Sequence, residues 1–209
     1  MYRPLAYAID DVEVLHATVR ARRFATIAAV VDERVQIAYG PVVLDASHGP
    51  KGGVRFHLAR GNPLATAAVA RLHFSFLGPD SYISPDWYEA RQFVPTWNYI
   101  AVEAEGLARK LDHTGLKQLL VDLSAQEEAR LSPKPPWTLD KLPEDRVTAL
   151  LKAIIGYEVR FETLEGKFKL SQDKTAADFE SLLMALERRS DVASAAVAAA
   201  MRRHGKRQA

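Results

Sequence analysis

Two runs rich in β-branched and aromatic residues, Phe24–Val31 and Arg34–Leu44, flank the dipeptide Asp32-Glu33. Runs of this kind joined by a two-residue turn read as a β-hairpin, which commits the first half of the chain to antiparallel β structure. Gly40-Pro41 predicts a bulge or bend inside the second strand. Four further strands follow from composition and alternation: Val54–Leu58, Arg71–Leu77, Tyr99–Glu105 and the segment carrying Tyr157, Val159 and Phe161. In Tyr99–Glu105, Ile100, Val102 and Ala104 face inward and Glu103 and Glu105 outward. The stretch from Leu77 to Trp97, with Pro79, Pro85 and Pro95 among aromatics, reads as loop.

Helices interrupt these strands. Asp10 or Asp11 caps an opening helix with Val12, Leu15 and Val19 on one face, and Arg20, Arg22 and Arg23 suit its C-terminal dipole. Asn62 as N-cap and Pro63 at the first helical position start a helix over the alanine-rich stretch to Ala70. Asp112 caps a helix that buries Leu116, Leu119, Leu120 and Leu123. A short helix after Pro143 buries Val147, Leu150 and Leu151. Thr175-Ala176-Ala177-Asp178 resembles a capping box, followed by the stripe Phe179, Leu182, Leu183 and Leu186. About six strands without regular β-α-β alternation point to an α+β protein built on a small barrel, not a doubly wound sheet.

The absence of cysteine excludes disulfides, thiolate–metal sites and thiol nucleophiles. With 28 Lys+Arg against 26 Asp+Glu, the chain carries no broad nucleic-acid field. The longest apolar run, Phe24–Val31, is too short to span a bilayer, and the N-terminus lacks the apolar stretch of a secretory signal; a soluble cytoplasmic protein is expected. None of the six histidines stands at metal-ligand spacing, so no metal is expected, and no familiar catalytic motif is present.

Three constellations remain. In Arg55–Pro63, a strand delivers Arg60 to its end and a helix begins at Asn62. Free N–H groups beside a guanidinium form an anion site for a phosphate-bearing ligand. The same residues also fit an ordinary strand followed by a capped helix. The segments Gly78–Tyr88, with Tyr82, Trp87 and Tyr88, and Val94–Tyr99, with Trp97 and Tyr99, offer rings and hydroxyls. They could hold a planar ring, or plug a barrel or a subunit interface.

The segments Met1–Pro4, His57–Pro63, Tyr82–Tyr88, Val94–Tyr99, Ile155–Val159 and Lys169–Gln172, in this order and spacing, resemble the PaiB family of FMN-binding negative transcriptional regulators. The resemblance covers nearly the whole chain. It implies a homodimer of split β-barrels of the pyridoxamine-phosphate-oxidase type, with flavin sites at the interface. It also implies a barrel domain with inserted helices over residues 1–172 and a helical extension over 173–209. By this resemblance Arg60 is the main partner of the FMN phosphate, with Asn62 at the helix start. His57, Ser81 and Ser84 are candidates for phosphate or ring-edge contacts. Trp97 and Asn98 approach the ring, and Lys169 and Gln172 meet its polar edge, where a cation favours reduced flavin. Ala38-Tyr39-Gly40-Pro41 departs from the family: Tyr39 stands where a histidine is usual, on a strand that borders the flavin. Gly61 and Leu64 also stand in place of alanine and tryptophan.

Any DNA contact is expected through the basic tail Arg202, Arg203, Lys206 and Arg207, alternatively a solvated terminus. Two other functions compete with a regulator. One is a flavin-dependent oxidoreductase with His57 and Tyr82 in acid–base roles; the other is a haem-handling barrel with a histidine ligand.

Overall fold

The computed structural model describes residues 1–66 and 71–205. The chain forms β1 (Ala8–Ile9), α1 (Val12–Ala21), β2 (Phe24–Val31), β3 (Arg34–Asp45), β4 (Gly53–Ala59) and α2 (Pro63–Thr66). There follow β5 (Arg71–Ile83), β6 (Thr96–Lys110), α3 (His113–Glu128), α4 (Glu144–Lys152), β7 (Ile154–Arg160), β8 (Thr163–Lys169), α5 (Ala176–Glu187) and α6 (Val192–His204). The sheet runs β1-β8-β6-β5-β2-β3-β4-β7, and β6 also pairs with β7. That last pairing closes β6-β5-β2-β3-β4-β7 into a six-stranded barrel of an α+β protein. These six are the strands expected from the sequence.

By internal contacts the chain forms two units: Met1–Leu15, Leu77–Val102 and Glu165–Ala209 in one, His16–Phe76 and Glu103–Leu164 in the other. Residues from 173 onward fall in the first unit.

In the second unit, β2 and β3 pair in one register from Phe24↔Pro41 to Val31↔Arg34. Asp32 and Glu33 turn the hairpin with φ of 48° and 60°, the left-handed pair that matches strand twist. The bulge expected at Gly40-Pro41 is absent, because the ladder runs through both residues. Beyond them β3 changes partner, pairing with β4 from Val42↔Phe56 to Asp45↔Gly53. A proline lacking its N–H is tolerated at such a change of partner. Phe56 packs on Tyr157 and Phe74, each with ring centroids 5.5 Å apart, and the Tyr157 hydroxyl donates to the Ala65 carbonyl at 2.7 Å. At Gly106 an added Cβ would lie 2.1 Å from the Arg160 carbonyl oxygen, so only glycine permits this close passage of backbone. Asp112 caps α3 by accepting from the Gly115 N–H at 2.7 Å. Leu116, Leu119, Leu123, Val147 and Leu151 form the α3–α4 core. Leu150, expected to be buried, is 41% exposed, because Val147 and Leu151 alone fill the inward face of α4.

In the first unit, β1 pairs antiparallel with β8 through Ala8↔Lys167 and Ile9↔Gly166. Thr175 caps α5 by accepting from the Asp178 N–H, and Phe179, Leu182, Leu183 and Leu186 are buried as expected. Asp191 caps α6, whose Val197, Ala198 and Met201 are buried.

Two departures concern the predicted loops. β5 continues to Ile83 through Gly78-Pro79, where loop was expected. Its buried positions shift there from Leu72, Phe74 and Phe76 to Ser81 and Ile83, a change of phase that hides the strand from an alternation test. β8 was missed because glycine occupies an inward position. A Cβ on Gly166 would lie 2.4 Å from Leu15 Cδ2, so the apolar signal is absent where packing is tightest. The alanine-rich stretch after Thr66 lies outside the described residues.

Candidate functional site

In the second unit, β4 carries His57 and ends beside Arg60. Val54, Phe56 and Leu58 are buried, and His57 alternates with them opposite Gly156 of β7. The His57 Nδ1 is buried without a hydrogen-bond partner, and burial lowers the imidazole below its ordinary pKa, which favours the neutral ring. Arg60 is exposed. Its Nε donates to the Lys152 carbonyl at 2.8 Å, which fixes the guanidinium at the end of α4. Asn62 is the expected cap: its Oδ1 accepts from the Leu64 N–H at 2.9 Å. The free N–H groups expected beside it are not available, since those of Asn62, Leu64 and Ala65 are all engaged and Pro63 has none. Arg60 itself is what this strand end can offer an anion.

In the first unit, a cavity of about 200 Å³ lies between β6, the end of β8 and the segment around Tyr88. Asn98 is fully buried and accepts from the Ser171 hydroxyl at 3.1 Å, while its amide donates to Met201 Sδ at 3.6 Å. Ser171 holds a left-handed φ of 61°, strained for a residue with a side chain, and the Tyr88 hydroxyl stands 3.5 Å from its Oγ. Lys169 donates to the Thr96 hydroxyl and forms no ion pair with a carboxylate among the described residues. Burial first, then the neighbouring Lys167, lower the Lys169 pKa against the opposing pull of Asp173. Tyr7 also lines the cavity; burial first, then Asp173, push its pKa up to about 12.

The structure thus places Asn98 and Lys169 on one cavity and Arg60 and Asn62 together at one strand end. Of the other expected residues, Gln172, Ser81 and Ser84 hydrogen-bond within the protein and Trp97 packs on a neighbouring ring. Gln172 closes its own turn, donating to the Phe168 carbonyl and accepting from the Leu170 N–H. Ser81 is buried against Ser194 of α6, and Ser84 caps the short 3-10 helix Pro85–Trp87. Trp97 is half-exposed, edge-on to Tyr82 at 6.0 Å. Tyr7 and Ser171 went unrecognised in the sequence, whereas Tyr88 and Thr96 lie in the Gly78–Tyr88 and Val94–Tyr99 constellations. Ser171 sits inside the Lys169–Gln172 segment, so its position was marked though its role was not.

These features define a split-barrel protein with cationic groups suited to an anionic ligand. Among solved structures it is similar to the FAD and haem binding protein from Mycobacterium smegmatis, with TM-score 0.58 and 14% identity over 78% of this chain and 73% of that one. A conserved hypothetical protein from Mycobacterium tuberculosis gives TM-score 0.56 and 13% identity over 81% and 91%. A family model described as "Putative FMN-binding domain" matches residues 1–163. The "Protease synthase and sporulation protein PAI 2" of Bacillus subtilis is 30% identical over 90% of this chain and 89% of its own length. An uncharacterised protein of Aspergillus fumigatus is 29% identical over 90% and 91%. The chain therefore belongs to the PaiB-like FMN-binding family, and FMN is its cofactor.

Proposed function

We propose that this chain is a homodimeric, FMN-binding transcriptional regulator of the PaiB type, acting in the cytoplasm, in which the flavin reports redox state or a metabolite. The observation that carries the flavin part is Lys169: a partly desolvated ammonium on a polar cavity, hydrogen-bonded to a hydroxyl and within ion-pair distance of no carboxylate among the described residues. A partly desolvated charge offset only by the more distant Asp173 carboxylate is costly, and an electron-rich ring edge adds counter-charge. Arg60 offers a fixed guanidinium suited to a phosphate, and the orphaned Nδ1 of His57 is a buried polar atom without a partner. In this reading Arg60 is a candidate partner of the phosphate and Lys169 a candidate partner of the ring's polar edge, each as the family resemblance implies. FMN, when bound, supplies reversible one- and two-electron chemistry.

The outer face of the β2–β3 hairpin supports the dimer. Phe24, Val30, Val35, Ile37 and Tyr39 are 53–68% exposed, and the register joins them with Thr26 and Ala28 into one uncharged surface. A contiguous apolar face of this kind marks a protein–protein surface. Tyr39, the departure from the family pattern, lies on it. For DNA, Arg202 pairs with Glu187, which leaves Arg203 as the exposed cation of the last turn of α6. Lys206 and Arg207 lie outside the described residues. Among the described residues no helix is long and apolar enough to cross a membrane. The test is a footprint of the yellow protein on the promoter region of its own gene, with oxidised and with reduced flavin. Protection that changes with flavin state supports the reading, and protection indifferent to flavin removes the sensing role.

A further inference from the structure

A second cavity, of about 240 Å³, lies in the barrel unit where the end of α4 and the starts of β7 and α3 come together. Its floor is apolar, formed by Leu111, Leu116, Leu151 and Ile154 of the α3–α4 core and its surround. Its rim is cationic, carrying Arg60, Lys110 and Lys152. Neither Arg60, Lys110 nor Lys152 makes an ion pair with a carboxylate among the described residues. The one acid in the lining, Asp112, is occupied as the cap of α3. Arg60 is held at the rim by the Lys152 carbonyl at 2.8 Å and the Ile154 carbonyl at 3.5 Å, so its charge is fixed in place.

Three cations against the single carboxylate of Asp112 leave the lining net positive, which raises the local concentration of anions. An inorganic anion would leave the apolar floor unused, and a neutral apolar molecule would leave the rim unused. The cavity is smaller than the roughly 300–1,000 Å³ of pockets for drug-sized ligands. We propose that it binds a small amphipathic organic acid, its carboxylate at the rim and its short apolar body over Leu111, Leu116 and Leu151. The carboxylate is assigned to Lys110 and Lys152; Arg60, which also borders the cavity, belongs to the flavin reading, so the two ligands bind independently.

The test is titration calorimetry of the full chain with sodium octanoate, on flavin-free and FMN-saturated protein. The expected result is one site per chain in both forms, weakening as sodium chloride is raised. Octanol and inorganic phosphate should each bind about tenfold or more weakly, since each satisfies only half of the cavity. Replacing both lysines, Lys110→Glu with Lys152→Glu, should weaken octanoate about tenfold or more. Thr148 is exposed on the cavity wall, and Thr148→Trp should abolish binding without lowering the melting temperature. Octanol binding as tightly as octanoate would overturn the proposal, as would competition between FMN and octanoate or no octanoate binding to either form.

Discussion

Asn98→Leu tests whether the polar network, rather than apolar packing, holds the cavity in the first unit. Asn98 is fully buried, and leucine shares its branched skeleton of side-chain heavy atoms, so the apolar contacts are kept. The cost falls on Ser171, whose hydroxyl loses its acceptor at 3.1 Å and keeps only Tyr88 at 3.5 Å, the limit of a hydrogen bond. An unsatisfied buried hydroxyl costs about 1–3 kcal/mol. Ser171 is also left-handed, a conformation that costs roughly 1–2 kcal/mol with a side chain present, and the lost bond helps to hold it there. Asn98→Leu should therefore destabilise by about 2 kcal/mol, a fall of about 4–8 °C in Tm for a chain of this size. Ser171→Gly relieves the backbone but forfeits the hydroxyl, so alone it should be neutral to within about 1 kcal/mol. In the Asn98→Leu background the same change removes the orphaned hydroxyl and should stabilise. Thermal and urea unfolding of the four flavin-free proteins gives the coupling, expected at about 1 kcal/mol or more. Additivity within about 0.3 kcal/mol would refute the reasoning, because the two residues would then be independent.

Three further outcomes are expected. Arg60→Ala should weaken FMN about tenfold to a hundredfold by flavin fluorescence titration, the loss of a charge-assisted bond of about 1.5–3 kcal/mol, while Arg60→Lys keeps part of it. Lys169 has a folded-state pKa below its unfolded value. FMN affinity should then fall at a lower pH than an ordinary lysine would dictate, and flavin-free stability should rise with pH between the two values, where the unfolded chain binds more protons. Lys169→Met should flatten both profiles, read by FMN titration and urea unfolding across alkaline pH. Ile37→Glu with Tyr39→Asp places charges on the exposed hairpin face and should give monomers by light scattering, with β-rich circular dichroism retained; an unchanged dimer would move the interface elsewhere.

The barrel was legible because its six strands carry alternating apolar residues that period-two reasoning detects. What escaped detection was backbone packed too closely for side chains to signal it. Gly166 sits against Leu15 at an inward position of β8, and Gly78-Pro79 shifts the burial phase of β5 while resembling a turn. Arg60, Asn98 and Lys169 were visible as motif residues, and geometry gave each a partner. The engagement of the α2 N–H groups by Asn62 was not visible, because a cap and an anion site share one sequence signature. Tyr7 and Tyr88 join the cavity from distant segments, a tertiary fact that local pattern does not carry.

The central claim is that this chain binds FMN through its own cationic groups, with Tyr39 in place of the family's usual histidine. The most direct measurement is the absorption spectrum of the purified protein after incubation with FMN and exhaustive dialysis. Retained flavin absorbance near one FMN per chain, lost in Arg60→Ala, is the predicted result. A colourless protein after dialysis, with circular dichroism showing the fold intact, would contradict it.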